Sequence, residues 1–146
     1  MIEVEVEDEA WTGALSDPQG LVRRAAAAAA GDTVGEIVVL LTDDDVLQNL
    51  NAKFLDKNRP TNVLAFPDPS PDRLGDLALA FGVCQREAAE QGKTLADHAT
   101  HLVVHGVLHL MGYDHIADDD AARMEALERR LLAAMNIKDP YADVRD

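Results

Sequence analysis

Apolar and polar positions alternate at the start of the chain. Ile2, Val4 and Val6 are separated by Glu3, Glu5 and Glu7, the period-two pattern of a strand with one solvated face. Ser16-Asp17-Pro18 has the chemistry of a helix start, and the pattern predicts a helix over Leu21 to Ala30 closed by Gly31. The alanines at 25–30 fit a helix packed closely against a sheet, because small side chains let the two approach. Ile37 to Leu41 is a continuous apolar run, as expected of a strand buried on both faces. Thr42 to Asp45 supplies capping oxygens and negative charge for a helix with Val46, Leu47, Leu50 and Phe54 on one side. Asn62 to Phe66 reads as a third strand, Pro67 to Pro71 as a connection, and Leu77 to Phe81 as a fourth strand. Beyond Cys84 the periodicity is helical, with helices near 83–91, 94–111 and 118–135. In the last of these Asp118 to Asp120 would cap and charge the start. Met124, Leu127, Leu131 and Met135 would form an apolar seam, with Glu125 and Arg129 as a surface pair. The order β-α-β-α-β-β-α-α-α predicts an α/β (α+β) fold: one domain over residues 1–146, a mixed four-stranded sheet and about five helices.

Composition narrows the function classes. The 13 Lys and Arg against 27 Asp and Glu leave a formal charge of −14, which argues against a DNA-coating protein or a membrane-surface binder. Against that background residues 51–67 stand out, with Lys53, Lys57 and Arg59 opposed by Asp56 alone. A local cationic stretch is what phosphate contact requires, although Lys and Arg also suit the end of a helix. Thr61 and Asn62 could touch a substrate, and turn chemistry explains them equally well. The single Cys84 cannot form an internal disulfide and reads as a small buried hydrophobe, as Trp11 reads as a packing residue. The first seven residues lack the basic and apolar regions of a signal peptide, and the aliphatic runs fall far short of a membrane span. The expectation is a soluble, cytoplasmic protein with no membrane partner.

Histidine placement carries the chemistry. Four of the five histidines fall within 98–109, and the fifth is His115. Thr94-Leu95-Ala96-Asp97 resembles a capping box, and a helix from there sets His105 and His109 four apart on one face, where two imidazoles can converge on one ion. Gly112 can turn the chain so that His115 returns as a third ligand. Three imidazoles with an open fourth position describe a catalytic zinc site at the end of a central helix. Leu102, Val103, Val104, Val107 and Leu108 make that helix nearly all apolar, so buried imidazoles on it need partners, and one ion satisfies three together. His101 reads as a packing or orienting residue, and Asp114 could orient a ligand imidazole. The spacing matches the metzincin peptidase template except that Gly106 replaces the glutamate base, so that mechanism lacks its proton acceptor.

The string His105 to His115, H-G-V-L-H-L-M-G-Y-D-H, resembles the signature of the YbeY family of rRNA maturation endoribonucleases. Leu50 to Phe54, Pro60 to Pro67, and Gly75-Asp76-Leu77 are similar to other marks of that family in the same order. The resemblance implies a single α/β domain with one zinc ion held by His105, His109 and His115. It also implies cleavage of single-stranded RNA in 16S rRNA maturation and ribosome quality control. The rRNA precursor and the small ribosomal subunit or its assembly factors would be the partners, not DNA. Where the family has an arginine after the aromatic, this chain has Leu55; Arg59 is then the candidate catalytic cation, with Lys53, Lys57 and Arg59 as candidate substrate-binding residues. Asp76 would support the site or complete a turn. The alternatives are a non-catalytic ribosome assembly factor with a structural zinc and, behind it, a metzincin-like peptidase.

Overall fold

The alternation at the N-terminus folds as it reads. In the computed structural model, which describes residues 1–113 and 117–141, strand β1 (Ile2–Val6) buries Val4 and exposes Glu3 and Glu5. Strand β2 (Glu36–Thr42) lies parallel to it, and the described residues complete a four-stranded mixed sheet with β3 (Val63–Pro67) and β4 (Arg73–Ala80). The spatial order is β1-β2-β4-β3, with β4 parallel to β2 and β3 antiparallel to β4 at the edge. Parallel crossovers followed by one antiparallel return is the arrangement the element order predicts.

Helix α2 (Pro18–Ala30) and helix α5 (Leu95–Leu110) cover one face of the sheet, over Val4, Ile37, Val39, Leu41, Leu77 and Leu79. Ala25, Ala26 and Ala29 are buried, and α2 packs mainly on α5 and only secondarily on β1. The small side chains therefore serve a helix–helix approach more than the helix–sheet approach expected. Both helices begin on the predicted caps: Asp17 accepts from the Gly20 N–H at 3.0 Å, and Thr94 from the Asp97 N–H at 3.1 Å.

The other face of the sheet is covered less completely, by helix α3 (Asp44–Leu55), whose Leu47 packs on Leu64, Ala78 and Ala80. In β2, Ile37, Val39 and Leu41 are buried, but Val38 and Leu40 are only half-buried and line a groove of about 460 Å³ with Leu50, Phe54 and Phe66. The reading of β2 as buried on both faces is thus corrected, because α3 roofs part of the sheet and leaves the rest open.

Among the described residues there are six helices, one more than the pattern suggested. The addition, α1 (Ala10–Ala14), is too short for apolar periodicity; it is anchored by the buried Trp11, whose indole N–H donates to the Thr42 carbonyl at 3.0 Å. Helix α4 (Phe81–Glu90) buries Cys84 as expected. Helix α6 (Asp118–Ala134) carries the three aspartates in its first turn, yet its cap position is Ala117 and no side chain caps it, so those acids contribute charge and not a cap. Its fully buried stripe is Met124, Glu128 and Leu132; Leu127, Leu131 and Met135 pack beside it, half-buried. No helix among the described residues is long and apolar enough to cross a membrane.

Candidate active site

His105 and His109 project from successive turns of α5, and Gly106 between them explains how closely this helix meets the sheet. A Cβ at Gly106 would lie 2.7 Å from Leu77 Cδ2 on β4. Any side chain here, the glutamate of a peptidase template included, would have to displace the buried Leu77 side chain. After Leu110 the helix stops, with Gly112 at φ +102° and the Tyr113 N–H donating to the Leu108 carbonyl at 3.1 Å. His115 and Asp114 lie outside the described residues.

Both imidazoles line a cleft of about 380 Å³, and its opposite wall is the connection between α3 and β3. Lys57, Arg59 and Thr61 come from that connection, and Leu55, 44% exposed, lines the same space. Lys53 does not line it; its ammonium stands 5.3 Å from the Phe54 ring centre. The connection is built tightly. Asp56 takes a left-handed conformation at φ 55°, and the Lys57 N–H returns to the Asn51 carbonyl at 3.1 Å. The Asn51 side chain, only 3% exposed as a residue, donates to the Arg59 carbonyl at 3.1 Å. Asn62 is occupied structurally: its oxygen accepts the Val63 N–H at 2.6 Å, and its amide donates to Glu87 at 2.9 Å.

Behind the histidines lies a group that sequence reasoning missed. Glu128 of α6 is 0% exposed and accepts from His105 Nδ1 at 2.5 Å, His101 Nε2 at 3.3 Å and the Tyr141 hydroxyl. Burial alone would raise its pKa, but these hydrogen bonds to the carboxylate outweigh it and bring the pKa down to about 2. Burial and the same carboxylate push the Tyr141 hydroxyl up. A signal for Glu128 does exist in the sequence. It stands four residues from both Met124 and Leu132, an acid in the middle of an apolar stripe. The seam expected through Met124, Leu127, Leu131 and Met135 does not pass through it. His101, Tyr141 and Glu128 show no pattern linking them across the chain.

His101, His105 and Glu128 bring one donor atom each within 4.8 Å of one another, so these three could hold a metal ion. The separation of 2.5 Å between His105 Nδ1 and Glu128 is that of a strong hydrogen bond. Two donors on a single tetrahedral zinc would stand roughly 3.3 Å apart at ordinary bond lengths.

Other polar groups are accounted for elsewhere. His98 donates through Nε2 to Glu87 at 2.9 Å, and burial holds its pKa below the usual imidazole value against the pull of that carboxylate. Asp76 pairs with Arg73 at 2.6 Å and lines the groove on the opposite face of the sheet, away from the histidines. It lies within β4 and is not among the residues that line the cleft.

With this geometry in hand, the likeness to known proteins is extensive. The family profile described as Endoribonuclease YbeY matches residues 5–136. A protein named Endoribonuclease YbeY from Paramagnetospirillum magneticum is 48% identical, covering 97% of this chain and 96% of its own length. Another of that name from Rhizorhabdus wittichii is 46% identical over 100% of both chains. The solution structure of a Thermotoga maritima protein superposes with a TM-score of 0.59 at 23% identity, covering 93% of this chain and 92% of that one, and so shares its fold. On these matches, the chain belongs to the YbeY family.

Proposed function

We propose that this chain is a zinc-dependent endoribonuclease that cuts single-stranded RNA in 16S rRNA maturation and ribosome quality control. The observation that carries the proposal is the cleft in which His105 and His109 face Lys57 and Arg59. The family's name supplies the reaction class: hydrolysis of internal phosphodiester bonds in RNA. In this reading residues 1–146 form one zinc hydrolase domain working in the cytoplasm, with the rRNA precursor as substrate and the small ribosomal subunit or its assembly factors as partners.

The donor set suits zinc. His105 and His109 lie one helical turn apart, and the Glu128 carboxylate on His105 Nδ1 is the backing that metal-bound imidazoles ordinarily have. His105, His109 and His115 would hold one ion per chain. Zinc, when bound, supplies Lewis acidity that polarises a phosphoryl oxygen or lowers the pKa of a water. The chain's own residues do the rest. Arg59 offers a phosphate two parallel hydrogen bonds, and Lys57 adds a point charge beside it. Asn51 fixes the backbone that carries both. Glu128 holds the proton on His105 Nδ1, so that Nε2 is the nitrogen that would ligate. Lys53, outside the cleft lining, would meet a bound strand beyond the rim.

The test is cleavage of a single-stranded rRNA fragment by zinc-loaded protein, compared with His109→Ala and Arg59→Ala. The expected result is no cleavage by the first and a loss of about 100-fold with the second. Cleavage by His109→Ala at the wild-type rate would defeat the proposal. One observation favours a second reading, an assembly factor with a structural zinc: Leu55 gives the cleft an apolar side chain where a cation is expected. Rescue of ribosome maturation in cells by a folded, cleavage-dead His109→Ala protein would favour that reading.

A further inference from the structure

The Glu128 carboxylate sits at 0% exposure within the Met124–Leu132 stripe of α6. A charge so enclosed is costly unless donors fill its lone pairs. Three do so: His105 Nδ1 on one oxygen, His101 Nε2 and the Tyr141 hydroxyl on the other. Tyr141 is fastened in turn. Its N–H donates to Asp139 at 2.9 Å, and the Arg129 guanidinium lies 5.3 Å from its ring centre while Arg129 Nε reaches both Asp139 oxygens at 3.1 Å. The turn after α6 is thereby tied to α6, and through Glu128 to α5. Glu128 is not part of the cleft wall, whereas His105 is. Whatever Glu128 does for the cleft passes through an imidazole.

We propose that Glu128 is the positioning residue for His105, and that Tyr141 holds the carboxylate in place for that task. This rests on reading His105 as a metal ligand. A carboxylate accepting the Nδ1 proton fixes one tautomer, stops the ring from turning, and makes the opposite nitrogen a better donor to a metal. His101 donates its Nε2 proton to the same carboxylate, which puts its lone pair on Nδ1, buried and without a partner. His101 is therefore a brace for Glu128 and not a ligand.

The test uses full-length protein and zinc alone, with affinity read by competition against a chromogenic chelator for wild type, His109→Ala, Glu128→Gln and Tyr141→Phe. Glu128→Gln is expected to bind zinc about 10–100-fold more weakly while remaining folded, and Tyr141→Phe several-fold more weakly. In zinc-free protein, nitrogen-correlated proton spectra should find a far-downfield Nδ1 proton on His105 that moves upfield in both variants. A purely structural role would lower the melting temperature and leave the zinc affinity of the folded protein and that proton unchanged, which would overturn the proposal. Should Glu128→Gln fail to fold, Tyr141→Phe carries the same two readouts, and no change in either overturns it. Zinc retained by His109→Ala but abolished in Glu128→Gln would make the carboxylate a ligand, again overturning it. If wild type binds no zinc, the reading of His105 as a ligand fails, while the His105 proton still decides whether Glu128 orients the ring.

Discussion

Gly106 illustrates how one residue governs packing beside the cleft. Its missing side chain lets α5 press against Leu77, and a methyl group there would sit 2.7 Å from a leucine carbon. Gly106→Ala should therefore destabilise the protein by about 1–3 kcal/mol in urea unfolding, against the usual benefit of alanine in a helix. Cys84 makes a second test at this scale. Burial pushes its thiol up to about 12, with Glu87 and Asp44 adding to the effect. The native protein should leave this thiol unmodified by disulfide reagents at neutral pH and expose it only on unfolding. Rapid labelling of the folded protein would contradict the packing around α4.

At the scale of elements, α5 depends on the cap at its N-terminus. Thr94 supplies the first-turn acceptor, so Thr94→Ala should cost about 1 kcal/mol and lower the melting temperature. His98, inside the same helix, links stability to pH. Its folded pKa lies below the ordinary 6.5, with burial as the leading cause. The unfolded chain then binds the proton more readily, so stability is intact above pH 6.5 and falls as pH drops through the folded pKa. Glu128, held at about 2 against an ordinary 4.5, adds its loss only below pH 4.5. The unfolding free energy measured from pH 7.5 down to 5.5 should accordingly fall in wild type and fall less in His98→Gln, before the carboxylate contributes.

The whole molecule is strongly acidic, with a formal charge of −14, while its cleft presents Lys57 and Arg59. Two phosphate contacts on a single strand predict a shallow salt dependence, a log–log slope of roughly −1 to −2. A slope steeper than about −4 would mean that cations beyond this cleft bind the strand. Metal removal belongs at this scale too. His105 and His109 are half-buried and line the cleft, outside the fully buried apolar core beneath α2 and α5. Chelation should abolish RNA cleavage while the far-ultraviolet dichroism of the folded protein persists; loss of the fold together with the metal would instead identify a structural ion.

Much of this protein can be read locally. The strand alternation of β1, the caps at Asp17 and Thr94, and the His105–His109 spacing each follow from near neighbours in sequence, because helix and strand periods and first-turn hydrogen bonds are short-range. Even the cationic stretch at 57–59 was legible as charge, although only the fold turned Lys57 and Arg59 toward the histidines and Lys53 away. The rest required elements far apart in the chain to meet. The half-open face of β2 depends on how far α3 reaches across the sheet, and the place of Gly106 depends on a leucine from β4. Glu128 and Tyr141 gain their meaning only where α6 and the turn after it close on α5. A period identifies which residues share a face; which partner that face meets, and hence whether a buried charge is tolerated, is decided by tertiary packing.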